Sequence, residues 1–222
     1  MSHPFHRALS QRFSASANAS EAEAMAAYMK GHFEFYGIRS TQRKQIQREV
    51  ITEHGLPADE DFESVILACW RSPQREMHYA AMELFDRKKW YRNESSLALI
   101  ECMITSQSWW DTVDYIAASL CGSYFKLFPK RISEVIRRWN QSDNLWLVRS
   151  TLLFQLKYKE AVNTQLLTEC IKPHLTSTEF FLQKAIGWSL RQISKSDPAF
   201  VRSFIDSHHL KPVSLREAKK YI

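Results

Sequence analysis

Glycine and proline are scarce. The 222 residues hold 5 Gly and 7 Pro, too little punctuation for many short strands joined by tight turns, and this favours long helices. Sustained period-2 alternation, the mark of a half-buried strand, is also missing. Apolar runs stay well short of the ~18 residues needed to span a bilayer. The four cysteines, Cys69, Cys102, Cys121 and Cys170, lie far apart and form no CxxC. Set among apolar residues, they read as buried free thiols of a reducing compartment. No His/Cys group has metal-ligand spacing, and the adjacent His208-His209 suggests a surface turn, so no metal is expected. Acidic residues are missing before Glu21, which gives the N-terminus a faint likeness to a transit peptide. The preferred reading there is a short helix over residues 5–13, a polar linker, and a helix capped by Ser20 with Glu23. No low-complexity linker divides the chain, which predicts one domain over 1–222. The last expected helix runs to Ile222, leaving open a tail beyond it.

What is present is a period. Asp114, Arg149 and Lys184 stand 35 residues apart, and the same step adds Lys44, Tyr79 and Lys219. Periods of about 20–50 residues mark stacked repeat arrays, in which equivalent positions line up along one face. The expected face is a row of mostly basic side chains with one carboxylate at its centre, suited to holding a polyanion against a reactive group. Seven positions earlier comes a helix-start signal: Ser72-Pro73, a blurred copy around Gln107, Ser142-Asp143-Asn144, Ser177-Thr178-Glu179, and Pro212 with a Ser214/Glu217 capping box. The spacing predicts helices over 4–13, 21–34, 40–54, 59–71, 73–89, 93–106, 108–121, 129–140, 143–158, 160–174, 178–195, 198–207 and 213–222. The formal net charge of +6 and a pI near 9.1 permit nucleic-acid binding without establishing it.

Trp110 and Asp114 are one helical turn apart, Lys184 and Trp188 repeat that spacing, and Arg191 follows at i+7 from Lys184. Taken singly, each tryptophan reads as core and Asp114 as a solvated or ion-paired helix residue. Taken as a column with Arg149, they read as a site.

The segments Tyr28-Met29-Lys30-Gly31-His32-Phe33, Ser108-Trp109-Trp110-Asp111-Thr112-Val113-Asp114, Ser142-Asp143-Asn144-Leu145-Trp146-Leu147-Val148-Arg149, Phe154-Gln155-Leu156-Lys157-Tyr158-Lys159 and Phe181-Leu182-Gln183-Lys184-Ala185-Ile186-Gly187-Trp188 together resemble the AlkD family of alkylpurine DNA glycosylases. The resemblance runs over nearly the whole chain. It implies an all-α solenoid of HEAT-like helical repeats whose concave basic face holds duplex DNA containing alkylated purines. It also implies a cytoplasmic, nucleoid-associated protein acting as a monomer without a cofactor or membrane. The matching catalytic residues are Asp114, Trp110 and Trp188. The DNA-contacting set is Tyr28, Arg39, Lys44, Arg149, Lys157, Lys184, Arg191 and Lys219. Arg39 departs from the pattern, where glutamine is frequent. The family includes non-catalytic relatives, so fold alone is not activity.

The chemistry of the residues agrees. An N3- or N7-alkylpurine is cationic and already a good leaving group. A fixed carboxylate favours the positive charge that develops on the deoxyribose and orients a water. Tryptophan faces attract a cationic nucleoside. Lys184 is a conceivable Schiff-base nucleophile, but monofunctional hydrolysis is the expectation. The competing readings are a non-catalytic binder of damaged or distorted DNA and a protein-binding scaffold.

Overall fold

A computed structural model describes residues 3–222, and among them helices supply the regular structure apart from one isolated bridge, Glu34 to Gln74. The fold is all-α. The helices gather into two compact units, Met1–Trp90 and Tyr91–Ile222.

The first unit contains α1 (Pro4–Ala15), α2 (Ala19–Tyr28), α3 (Ser40–His54), α4 (Asp59–Trp70) and α5 (Arg75–Lys88). Phe5, Leu9 and Phe13 recur every four residues on α1 and are buried, as helical periodicity requires. They meet a core that includes Val50, Phe62, Ile66 and Phe85. Burying each such side chain stabilises the fold by about 1.5–3 kcal/mol. Helix α2 stops at Tyr28, short of the expected 34, because Lys30 and Gly31 take left-handed backbone angles (φ 58° and 73°). Its cap is Asn18, not Ser20: the Asn18 side chain accepts from the Glu21 amide. Ser72-Pro73 does not open α5 either, since Gln74 stands at its N-cap. Instead Glu76, 1% exposed, reaches back to the amides of Tyr36, Gly37 and Ile38 at 2.9–3.1 Å. This fixes the strap before α3. Gly37 is required there: its φ is +84°, and a Cβ would stand 2.1 Å from the Asn18 carbonyl oxygen.

The second unit contains α6 (Leu97–Thr105), α7 (Trp110–Tyr115), α8 (Gly122–Leu127), α9 (Ile132–Asn140), α10 (Leu145–Leu153), α11 (Thr164–Ile171), α12 (Phe180–Ile193), α13 (Pro198–Ser207) and α14 (Pro212–Ala218). One layer is the succession α7, α10, α12, α14, each helix packed on the next, and α6, α9, α11 and α13 cover it. This is a stacked helical-pair arrangement, with a step close to the sequence period. The expected break after Cys121 does not occur. Helices α7 and α8 form one rod through a π-helical turn, Ile116–Cys121. Gly122 continues the rod because its bare Cα admits the neighbouring chain: a Cβ would lie 2.7 Å from the Phe154 carbonyl oxygen. Asn144 caps α10 through the Trp146 and Leu147 amides, and Asp197 caps α13 through Phe200. The Ser214/Glu217 capping box does not form. Lys211 occupies the N-cap of α14, and the Ser214 hydroxyl donates across to the Gln183 carbonyl at 2.8 Å. No helix among the described residues is long and apolar enough to cross a membrane.

Candidate active site

In the second unit a cleft of about 380 Å³ is lined by Trp110, Asp114, Arg149, Phe180, Phe181, Lys184, Trp188, Arg191, Glu217 and Lys220. Four successive inner helices contribute to it. Trp110 and Asp114 come from one face of α7, Arg149 from α10, Lys184, Trp188 and Arg191 from α12, and Glu217 from α14. The sequence column of Asp114, Arg149 and Lys184 is therefore a physical row.

Asp114 and Arg149 form the centre. The Arg149 guanidinium donates through Nε to Oδ1 at 2.7 Å and through Nη2 to Oδ2 at 2.9 Å, a bidentate pair. Its Nη1 donates to the Phe181 carbonyl. The side chains are 3% and 14% exposed, Arg149 first. Arg149 was expected as a phosphate contact, and the structure gives it two sides: it lines the cleft and it orients the carboxylate. Burial raises the Asp114 pKa above the ordinary aspartate range, opposed by hydrogen bonds and charge from Arg149. Both tryptophans of the expected site, Trp110 and Trp188, are half-buried on the cleft wall, and the Arg191 guanidinium lies 6.0 Å from the Trp188 ring centre.

Behind this wall, Trp109, Trp146 and Phe181 pack ring against ring at 5.1–5.8 Å. Trp109, adjacent to Trp110, thus belongs to the packing. Phe180 is 55% exposed and forms an apolar lip.

Glu217 is the residue that sequence reasoning missed. It is 2% exposed and holds Lys184 at 2.6 Å, Lys220 at 3.1 Å, and Arg191. The Lys184 contact first, then those of Lys220 and Arg191, lower its pKa to about 2. Gly187 makes the arrangement possible, since a Cβ there would lie 2.6 Å from the Glu217 Cβ. Lys219, expected at the end of the column, is exposed, and Lys220 is the residue that reaches the cleft.

Lys157 donates to the Ser119 hydroxyl at 2.6 Å and stands 5.7 Å from the Tyr115 ring centre, against the π turn. In the first unit, Tyr28 is 68% exposed at the end of α2. It edges a separate cavity of about 510 Å³ with Met25, Met29, Arg43 and Tyr79. Arg39 is exposed and paired with Glu21 at 2.7 Å. Lys44 is half-exposed, 3.8 Å from a Glu83 carboxylate that Arg43 holds at 2.8 Å through two nitrogens. Cys69, Cys121 and Cys170 are buried and all four thiols are free; burial pushes those of Cys69 and Cys170 up to about 12. Among the described residues, no group of three or more His, Cys, Asp or Glu side chains is placed to hold a metal ion.

A family model of DNA alkylation repair enzymes matches residues 9–222. A solved structure described as a predicted DNA alkylation repair enzyme from Enterococcus faecalis is 32% identical, with a TM-score of 0.86, over 93% of this chain and 96% of that one. Two Streptococcus mutans structures, smu.31 and AlkD2, share the fold at 19% identity and a TM-score of 0.61. Both matches cover 81% of this chain, and 92% and 89% of theirs. No curated protein matches the sequence. Matched by the family model over residues 9–222 and 32% identical to the Enterococcus faecalis protein, the chain belongs to the family of DNA alkylation repair enzymes.

Proposed function

We propose that this protein is a monofunctional DNA glycosylase that hydrolyses the N-glycosidic bond of cationic N3- and N7-alkylpurines in duplex DNA. The observation that carries the reading is a desolvated carboxylate, Asp114, pinned by Arg149 in a cleft walled by Trp110 and Trp188. As the C1′–N9 bond breaks, its electron pair passes to the purine, which leaves neutral. Positive charge grows on the deoxyribose. A carboxylate fixed in advance, in a site of low dielectric, stabilises that charge more than it stabilises the ground state. Water adds to C1′ and its proton passes to Asp114 or to solvent. The tryptophan faces hold the cationic nucleoside. Meeting the lesion from its sugar side leaves the base stacked or exposed, without a deep pocket. A Schiff base on Lys184 would require its nitrogen to leave the 2.6 Å contact with Glu217, which favours water as the nucleophile.

Release of 7-methylguanine from methylated duplex, at enzyme excess, tests the proposal. Asp114→Asn should excise at least ~10²-fold more slowly while binding DNA as before. Near-parental excision by that variant would remove Asp114 from the mechanism.

A further inference from the structure

The acids lining the cleft are Asp114 and Glu217, and they differ in what holds them. Asp114 faces one guanidinium. Glu217, 2% exposed, is shared by Lys184, Arg191 and Lys220, whose side chains remain 38%, 22% and 47% exposed. A buried carboxylate with three half-exposed cations around it is unlike a surface ion pair, in which both partners move. Each ammonium carries three donors and the guanidinium five, so a single carboxylate does not exhaust them. The quartet keeps a net positive charge on the cleft side of α12 and α14. Its tightness depends on Gly187, where any side chain would press α14 away.

We infer that Glu217 is a positioning residue that gathers Lys184, Arg191 and Lys220 into a subsite for one phosphodiester of the DNA backbone beside Trp188. The inference rests on the duplex-DNA substrate proposed above. The subsite binds through the cations, and Glu217 acts through them without touching the phosphate. This predicts a sign opposite to simple electrostatics. Removing a negative charge near a polyanion ordinarily tightens binding. Removing a carboxylate that organises three cations loosens it.

The experiment measures affinity for an undamaged duplex between about 50 and about 200 mM salt, and single-turnover release of 7-methylguanine, for the parent, Glu217→Gln and Lys220→Met. Glu217→Gln should bind more weakly, by several-fold, despite its extra net positive charge, with a salt slope shallower by about one unit. Tighter or unchanged binding with an unchanged or steeper slope would overturn the inference. If Glu217→Gln does not fold, Lys220→Met, a change on a half-exposed side chain, decides: a slope shallower by about one unit supports the subsite, and an unchanged slope overturns it. Failure of the parent to release 7-methylguanine would count against the glycosylase reading alone, because the binding slopes still report the subsite.

Discussion

Asp114 and Arg149, 35 residues apart in sequence, face each other through two hydrogen bonds of 2.7 and 2.9 Å with both side chains largely withdrawn from water. The pair sets two opposing influences on one carboxylate. Burial disfavours its charge, and the guanidinium restores it.

Excision should therefore show an acid limb that follows ionisation of Asp114, with a midpoint above the ordinary aspartate range of about 3.9. Arg149→Met keeps the burial and removes the opposing charge, so its midpoint should move further upward and its rate at neutral pH should fall. The same change leaves a buried carboxylate unpaired and should cost about 3–5 kcal/mol of unfolding free energy. Single-turnover rates from pH 4 to 8, with urea melts beside them, check both parts. An acid limb unmoved in Arg149→Met would show that another group governs it.

Glu217 makes a prediction about stability. Its folded pKa, about 2, lies below the ordinary glutamate value of 4.5. A lowered carboxylate pKa contributes stability that is fully present above the unfolded value and lost as pH falls through the folded one. The parent should therefore lose stability between about pH 5 and pH 2, and Glu217→Gln should lose less across that window. Urea midpoints at pH 7, 4 and 3 measure the difference. Parallel curves for the two proteins would mean that the cations do not stabilise the ionised acid.

Lesion charge should decide which bases are released. The cleft offers a carboxylate and aromatic faces, a combination suited to purines already made cationic by alkylation. 7-Methylguanine and 3-methyladenine should be excised, while uracil and hypoxanthine persist. Matched duplexes at enzyme excess give the comparison. Efficient uracil release would show that a group in the cleft protonates a neutral base. Strand cleavage with a borohydride-trapped adduct would reveal a lysine nucleophile.

Much of this architecture was legible in the residues. The helices expected at 40–54 and 198–207 are present as Ser40–His54 and Pro198–Ser207, since Arg39 and Gly55 bound one and Asp197-Pro198 opens the other. The 35-residue step joins side chains that line one cleft in the second unit, because local periodicity survives stacking. What was not legible depends on tertiary approach. Glu217 reads as a capping residue until Gly187 brings α14 against α12. Lys220 replaces Lys219 at the cleft, the chain there having tightened into a 3₁₀ turn whose phase differs from that of an α-helix.

The π turn at Ile116–Cys121 has an implication for how such a protein changes by descent. It holds one residue more than a straight helix needs. Trp110 and Asp114 precede it, and the core residues Tyr124 and Phe125 follow it. Loss of one residue from 116–121 would let the rod relax to ordinary α geometry with the Trp110–Asp114 face still in phase with its anchor, because the wide turn absorbs the extra residue without adding its ~100° of rotation. A gap of a single residue at this turn is thus silent for the cleft, whereas the same gap between Trp110 and Asp114 would turn one of those side chains away from the other.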